Sequence, residues 1–507
     1  MGRKQKATKN VMTGLLNKAI LMILAFVTKT VFIRLLGAEY NGVSSLYSNI
    51  LSVLALAELG LGNVLMFYLY SALKNKDEEE ICALVAEFKK IYNIIIVCVL
   101  AVGLCLIPFL QYLVNSTLSH DGLIVYYLFY LANSVVSYFV VYRTMVLRAD
   151  QQDYILNNVS TLTTVLMYAF QLVYLFVRRD FLGYLVIQFF CTLGMNLIAN
   201  QIALIKYPFL KNKVVKKANI KGRELFENVK ATFLFKVSDT LVDQTDNIII
   251  SVMFGTIMVG MYTNYYMIQA YLGNIAAIIV NGLVASFGNL YVEGNKVKSY
   301  SMFRGAQLFF AFYATVCVAC YGCIVQDFIP LWVGSEYLMG YDMVFAVMIV
   351  FYIRIVTNTV WIYRSTMGIF KEVQYVNLIA AILNIVLSIV LGQFMNVPGV
   401  IIATGISRLA TSFWYEGKVV FEKLGVSIRK YFKMQLIGVF ITLITVSVSC
   451  FLCSKVIVSG LMGIIIKGLI CTSSTVCIYY WVYRKTSEFK MIVKMVPIER
   501  IENKILR

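Results

Sequence analysis

The sequence predicts an all-α integral membrane protein of about fourteen transmembrane helices, on the strength of three observations. The first is composition: 60% of the 507 residues are hydrophobic and only 14% are charged, where an ordinary soluble domain carries about 25%. So few charges would leave very large apolar patches on a water-facing surface, so lipid must be the solvent. The second is that apolar runs of about twenty residues, the length a helix needs to cross the hydrocarbon core, recur along the whole chain. The third is that the positive charges fall almost entirely on one side of those runs, as they do in membrane proteins.

In order, the expected spans lie near 11–36, 44–70, 91–114, 123–143, 156–177, 181–205, 232–254, 257–284, 304–328, 342–363, 374–395, 398–416, 434–455 and 460–483. The basic N-terminus, Gly2 to Asn10, is followed by no convincing small-residue cleavage site, so the first span is read as retained. With the N-terminus cytoplasmic, all but ten of the 45 lysines and arginines fall in cytoplasmic segments. Arg34, Arg178, Arg179 and Lys455 face the opposite side, and Lys18, Lys29, Lys236, Arg354, Arg408 and Lys467 lie inside spans. A missed helix would reverse every later loop, so the asymmetry supports the count and places both termini in the cytoplasm. The lysine-rich stretch 206–231 divides the first twelve spans into six and six. The expected organisation is an N-terminal lobe at 1–205, a basic cytoplasmic linker at 206–231, a C-terminal lobe at 232–420, and an extra helix pair with a basic tail at 421–507.

Composition also excludes functions. The net charge of +19 follows from loop placement and does not point to nucleic acid. His120 is the one histidine, which rules out a multi-histidine metal site. The eleven cysteines fall mostly inside apolar runs, with Cys317, Cys320 and Cys323 three apart and Cys450 and Cys453 likewise; they read as small apolar side chains. No Walker motif is present, no cofactor is expected, and the loops are too short and plain for an enzyme.

The two six-helix halves echo each other. Gly37 and Gly42 follow the first span and Gly255 and Gly260 follow the seventh, with Tyr47 and Tyr265 each ten residues after the first glycine. Tyr154 and Tyr375 open the fifth and eleventh spans at a similar offset. Parallel halves related by a pseudo-two-fold are a usual build of alternating-access carriers. The stretches IRLLGAEYNGVSSLYSNILSVLALAELGLGNV (Ile33 to Val64), SDTLVDQTDNIIISVMFGTIMVGMY (Ser238 to Tyr262) and VPGVIIATGISR (Val397 to Arg408) resemble the polysaccharide, Wzx-type, flippase family of the multidrug/oligosaccharidyl-lipid/polysaccharide (MOP) exporter superfamily. The resemblance implies a MOP/MATE-like fold: two pseudo-symmetric six-helix lobes around a central cavity, here with a C-terminal helix pair added. It implies an undecaprenyl-pyrophosphate-linked oligosaccharide as cargo, moved from the inner to the outer leaflet of a bacterial cell membrane for capsule, exopolysaccharide or O-antigen-type synthesis. Polysaccharide polymerase and glycosyltransferases are the protein partners it implies. The extra pair is similar to that of the lipid II flippase branch, where it forms a lipid-facing groove.

Charge inside a span costs about 2.5–3.5 kcal/mol on insertion scales, so each such residue is a candidate for function. In the seventh span Lys236, Asp239, Asp243 and Asp246 share one helical face. Lys236 and Asp239 read as a salt bridge at the cytoplasmic mouth, and the deeper Asp243 and Asp246 as an ion-coupling pair. A carboxylate beside neutral oxygen donors binds Na+ or takes up H+, and Asn384, Ser388 and Thr404 are the candidate donors. In the lipid II flippases a sodium site lies between the seventh, eleventh and twelfth helices, and the resemblance carries it to Asp243, Asp246, Asn384 and Thr404. A pyrophosphate needs cations, arginine offering a two-pronged fork. The candidates are Lys29, Arg354 and Arg408, with Asn358 one turn after Arg354. The other reading pairs each cation with a nearby carboxylate, for instance Lys29 with Glu58 or Asp246. Glu58, mid-span in the second helix, reads as a cation partner or a protonatable switch. Asn264, Tyr265 and Gln269 in the eighth span offer sugar-binding amides and a ring face, or else helix-to-helix hydrogen bonds. Two other classes stay open: a multidrug or cation antiporter of the same superfamily, and a membrane-embedded polysaccharide polymerase.

Overall fold

The computed structural model describes residues 3–55, 61–211, 237–238, 240–242, 244–370 and 372–495, and every regular element among them is helical. Ten helices among the described residues are long and apolar enough to cross a membrane, or eleven if a pair bent by 47° is one span. Fourteen is compatible with this, because the second and seventh expected spans cross residues outside the described set and one 51-residue stretch holds both the eleventh and the twelfth. The chain divides into two compact units, Met1–Gly260 and Met261–Arg507.

In the first unit α1 (Arg3–Leu36), α2 (Ala38–Leu54), α3 (Leu61–Asn75) and α4 (Glu78–Cys105) are followed by the bent pair α5 (His120–Tyr138) and α6 (Val141–Ala149). Next come α7 (Asp153–Arg178), α8 (Phe181–Lys206) and α9, the helical residues 244–254. Side-chain chemistry sets the helix ends. The Asp77 carboxylate accepts the Glu80 amide at 2.9 Å and Asp180 accepts the Gly183 amide at 2.8 Å, each satisfying an orphan donor of a first turn. Helix α7 packs between α1 and α8. On its outer face Leu162, Leu166, Phe170, Val173 and Val177 are exposed at helical spacing, an apolar stripe that only lipid can cover.

Helix α10 (Thr256–Val292) begins in this unit. Gly37 and Gly255 stand just before α2 and α10 with φ of 92° and 89°, a conformation that glycine adopts without steric cost. The two helix starts then cross at the second glycine of each motif. A β-carbon on Gly42 would strike the Thr256 carbonyl, and one on Gly260 would strike the Ala38 carbonyl. The contact is reciprocal, since Thr256 and Ala38 occupy the same place in the two repeats. Buried Asn41 seals it by donating to the Gly260 carbonyl at 2.8 Å. The turn before α5 joins the same corner, with the Thr256 amide donating to the Asn115 carbonyl at 2.8 Å.

Glu39 holds that turn in place. Its carboxylate accepts from the Ser116 hydroxyl and the Thr117 amide at 2.6 Å and from the Thr117 hydroxyl at 2.7 Å. Burial alone would raise its pKa, but these hydrogen bonds outweigh burial and hold it below the usual carboxylate value. The depressed value means that the stabilisation is complete above the ordinary carboxylate range and is lost as pH falls through the folded-state pKa. Thermal unfolding across that range should show wild type losing stability on acidification more steeply than Glu39→Gln, which carries no titrating group there. At neutral pH Glu39→Ala should cost about 1–2 kcal/mol, after discounting for solvent screening.

The second unit holds the rest of α10, then α11 (Lys296–Trp332), α12 (Tyr341–Val356), α13 (Asn358–Thr366), α14 (Gln374–Ala410), α15 (Ser412–Leu424), α16 (Ile428–Cys453), α17 (Gly460–Tyr483) and α18 (Ser487–Met495). Helix α11 is the hub, with α12 packed on it and the C-terminal pair α16 and α17 docked beside them. The pair is held by hydroxyls: Thr315 of α11 meets Thr442 of α16 at 2.7 Å and Tyr479 of α17 at 2.8 Å, all three buried. Helix α14 breaks at Asn396, with φ 54° and ψ −145°, two residues before Pro398. That break falls between the expected spans 374–395 and 398–416, where proline cannot continue a helix.

Candidate functional site

The candidate residues of the first unit lie on α1 and α9. Lys29 is half-buried, one turn before Phe32, with its Nζ 5.1 Å from the centre of that ring. Phe32 is fixed by edge contacts with Phe181 and Tyr184 of α8 at 5.6 and 5.0 Å. Among the described residues the ring is the partner of this ammonium, a cation–π contact worth about 0.5–2 kcal/mol. Asp246 is buried in α9 beside buried Asn247, whose side-chain oxygen has no hydrogen-bond partner among the described residues. Glu58, Lys236, Asp239 and Asp243 lie outside the described residues.

In the second unit Asn384 and Thr404 meet directly. Both are buried, and the Asn384 amide donates to the Thr404 hydroxyl at 2.9 Å across the two arms of α14. Buried Ser388, one turn on, donates to the Val400 carbonyl at 3.4 Å. Three neutral oxygen-bearing side chains are thereby gathered along one seam, the type of donor that suits a hard cation or a hydrogen-bonded proton acceptor. Arg354 and Arg408 are half-buried on α12 and α14, where a β-carbon added to Gly405 would stand 3.4 Å from Ile353 and Val350 of α12. Asn358, also half-buried, opens α13 just past the break at Thr357.

The eighth-span residues separate into two kinds. Tyr265 is fully buried; its hydroxyl donates to Gln326 at 3.3 Å and accepts the Met339 amide at 3.0 Å, so it ties α10 to α11 and to the segment before α12. Its repeat counterpart Tyr47 is also fully buried and donates to the Leu123 carbonyl at 3.0 Å, reaching the first turn of α5. In this conformation both tyrosines are ties within their own unit. Asn264 is buried, and Gln269 is buried at a small crevice lined by Leu272, Cys317, Tyr321, Met348 and Phe351.

One polar cluster was not anticipated. Arg364 at the end of α13 forms an ion pair with Glu416 of α15, and Asn377 at the start of α14 donates to the same Glu416 oxygen at 3.2 Å. Both charged residues are buried, at 3% and 9% exposure. By sequence each sits at a span end, where charge is ordinarily solvated, and their separation of 52 residues leaves no local signal.

No protein-family model matches the chain, and no curated protein is similar to it by sequence. Solved structures are similar in fold. The lipid II flippase MurJ, in an inward closed conformation, matches with a TM-score of 0.69 at 12% identity, over 94% of this chain and 99% of that one. An inward-facing MATE-family multidrug resistance transporter of the MOP superfamily matches with a TM-score of 0.62 at 14% identity, over 80% of this chain and 95% of that one. A MATE transporter of Vibrio cholerae matches with a TM-score of 0.50 at 14% identity, over 83% and 98%. At these identities the likeness shows the fold: an all-α, multi-pass membrane protein of the MOP/MATE type.

Proposed function

We propose that this chain is a flippase of the bacterial cell membrane that carries an undecaprenyl-pyrophosphate-linked oligosaccharide from the inner to the outer leaflet by alternating access. The observation that carries the reading is the set of half-buried cations, Lys29, Arg354 and Arg408, on helices of a MOP-type fold. A multivalent anionic headgroup is the cargo that suits such cations, and a guanidinium holds a phosphate through two parallel hydrogen bonds. The likeness in fold to a lipid II flippase, over nearly the whole of both chains, supports a lipid-linked cargo. With both termini cytoplasmic, each negative charge carried outward gains about 2.3 kcal/mol per 100 mV of inside-negative potential. Ion coupling, with Na+ or H+ as the ion, would then serve chiefly to reset the empty carrier.

The test is flipping of a fluorescent undecaprenyl-pyrophosphate oligosaccharide in proteoliposomes. Lys29→Ala and Arg354→Ala should each slow it roughly 10- to 100-fold, the loss of a charge-assisted contact worth about 1.5–3 kcal/mol. A rate unchanged in both variants would sink the headgroup assignment. Export of a lipophilic cation such as ethidium, with no flipping of the sugar lipid, would establish the antiporter reading favoured by the likeness to MATE transporters.

A further inference from the structure

The cysteines that read in sequence as scattered apolar filler meet in one place. Cys320 and Cys323 of α11, Cys450 and Cys453 of α16 and Cys471 of α17 come from the three helices that join the C-terminal pair to the rest of its unit. The sulfurs of Cys323, Cys453 and Cys471 all lie within 4.8 Å of one another. Cys453 and Cys471 are 3.7 Å apart and Cys323 and Cys450 are 3.5 Å apart. Cys471 is wholly buried and Cys450 is exposed, so the cluster runs from the interior to an open edge.

We propose that Cys323, Cys453 and Cys471 form a three-thiolate binding site for one thiophilic closed-shell metal cation of the Zn2+ or Cu+ class, with Cys450, 3.5 Å from Cys323, at its open edge. In a tetrahedral zinc site with bonds of about 2.3 Å, the sulfurs stand about 3.8 Å apart, close to the 3.7 Å between Cys453 and Cys471 and within the 4.8 Å that bounds all three sulfurs. Two C-x-x-C pairs on facing helices direct their sulfurs inward together, because residues three apart share a helical face. Ordinary packing needs no such convergence, since a small apolar side chain serves equally well anywhere along the three helices. Lys467, one turn before Cys471, is ion-paired with Asp327, one turn after Cys323, so charged groups border the cluster. On binding, each ligating S–H bond breaks, a metal–sulfur bond forms in its place, and the protons are released to solvent. The occupied site ties α16 and α17 to α11.

The experiment uses the full-length protein, purified in detergent under metal-free reducing conditions and titrated with Cd2+. Ultraviolet sulfur-to-cadmium charge-transfer absorption should saturate at about one ion per chain. Cys323→Ser and Cys471→Ser should abolish it, whereas Cys98→Ser and Cys105→Ser, exposed thiols of α4, should leave it unchanged. Should Cys471→Ser fail to fold, half-buried Cys323→Ala takes its place. As a second measurement, Zn2+ should raise the thermal unfolding midpoint of wild type and not that of Cys323→Ala. Absorption that persists in the Cys323 variants, absorption lost in the α4 variants, or a wild-type midpoint indifferent to Zn2+ would overturn the site.

Discussion

Gly42→Ala is expected to destabilise the protein by about 3 kcal/mol or more, at or beyond the upper end for an overpacked core. The added β-carbon would meet the carbonyl of Thr256, which belongs to a helix backbone and cannot step aside as a side chain would. To make room, the crossing of α2 with the first turn of α10 must open, and with it goes the 2.8 Å hydrogen bond from Asn41 to Gly260. Gly260→Ala should cost a similar amount by striking Ala38, and the double variant should cost less than the two singles together, because one opened crossing relieves both clashes. Two further substitutions isolate the cause. Gly37→Ala meets open space but forces a side chain onto a φ of 92°, and should cost about 1–2 kcal/mol. Gly194→Ala, mid-helix with nothing within 4 Å, should be neutral or stabilising by up to about 1 kcal/mol. Denaturant or thermal unfolding of the detergent-solubilised chain, followed by its aromatic fluorescence, measures all five variants. Gly42→Ala as mild as Gly194→Ala would mean that the crossing is not made.

That crossing shows how far the sequence could be read. Glycines five apart after the first and seventh spans marked a repeat, and the repeat is realised as matching turns and a reciprocal contact. Tyr47 and Tyr265 marked it too, and each hydroxyl ties its helix to the backbone at or just before the start of a later one. A one-dimensional pattern could say that the two sites are equivalent, but not that one glycine lies against the other's repeat. Span ends were legible where backbone chemistry enforces them, as at Asn396 and Pro398. They were not legible where a helix runs past the apolar stretch. Helix α10 continues to Val292 and α11 starts at Lys296, since helical hydrogen bonding does not need an apolar side chain at each position. Asn384, Ser388 and Thr404 stood out as oxygen donors because each is polar in an apolar run, and only the resemblance to lipid II flippases linked Asn384 with Thr404. The cysteines were passed over for the opposite reason, since a thiol in an apolar run carries no contrast with its neighbours. Their meeting depends on the registers of three helices, which no local pattern records.

The Arg364–Glu416 pair was hidden in the same way, and its loss is the other large effect expected. Removing either side chain, as Arg364→Ala or Glu416→Ala, leaves the remaining charge buried and should cost about 3–5 kcal/mol. The setting makes rescue by water difficult. Neighbouring Tyr363 donates to the Ser299 carbonyl at 2.6 Å and packs edge-on against Phe303, which packs on Phe421 and that in turn on Tyr431. These rings come from α13, α11, α15 and α16. Glu416→Gln keeps an acceptor for Arg364 and for Asn377, and should cost less than Glu416→Ala. Replacing both charges with apolar side chains of similar volume, as in Arg364→Met with Glu416→Leu, should recover most of the loss, because the pair repays little more than the desolvation it incurs. The double-mutant cycle measured by unfolding therefore separates two roles. A coupling of several kcal/mol with a near-wild-type double variant means the charges matter only to each other. A stable but inactive double variant, with flipping lost while the fold is retained, would instead assign the pair to the transport cycle, as a latch that must form and break. Single variants costing under about 1 kcal/mol would show that the pair is solvated and not buried.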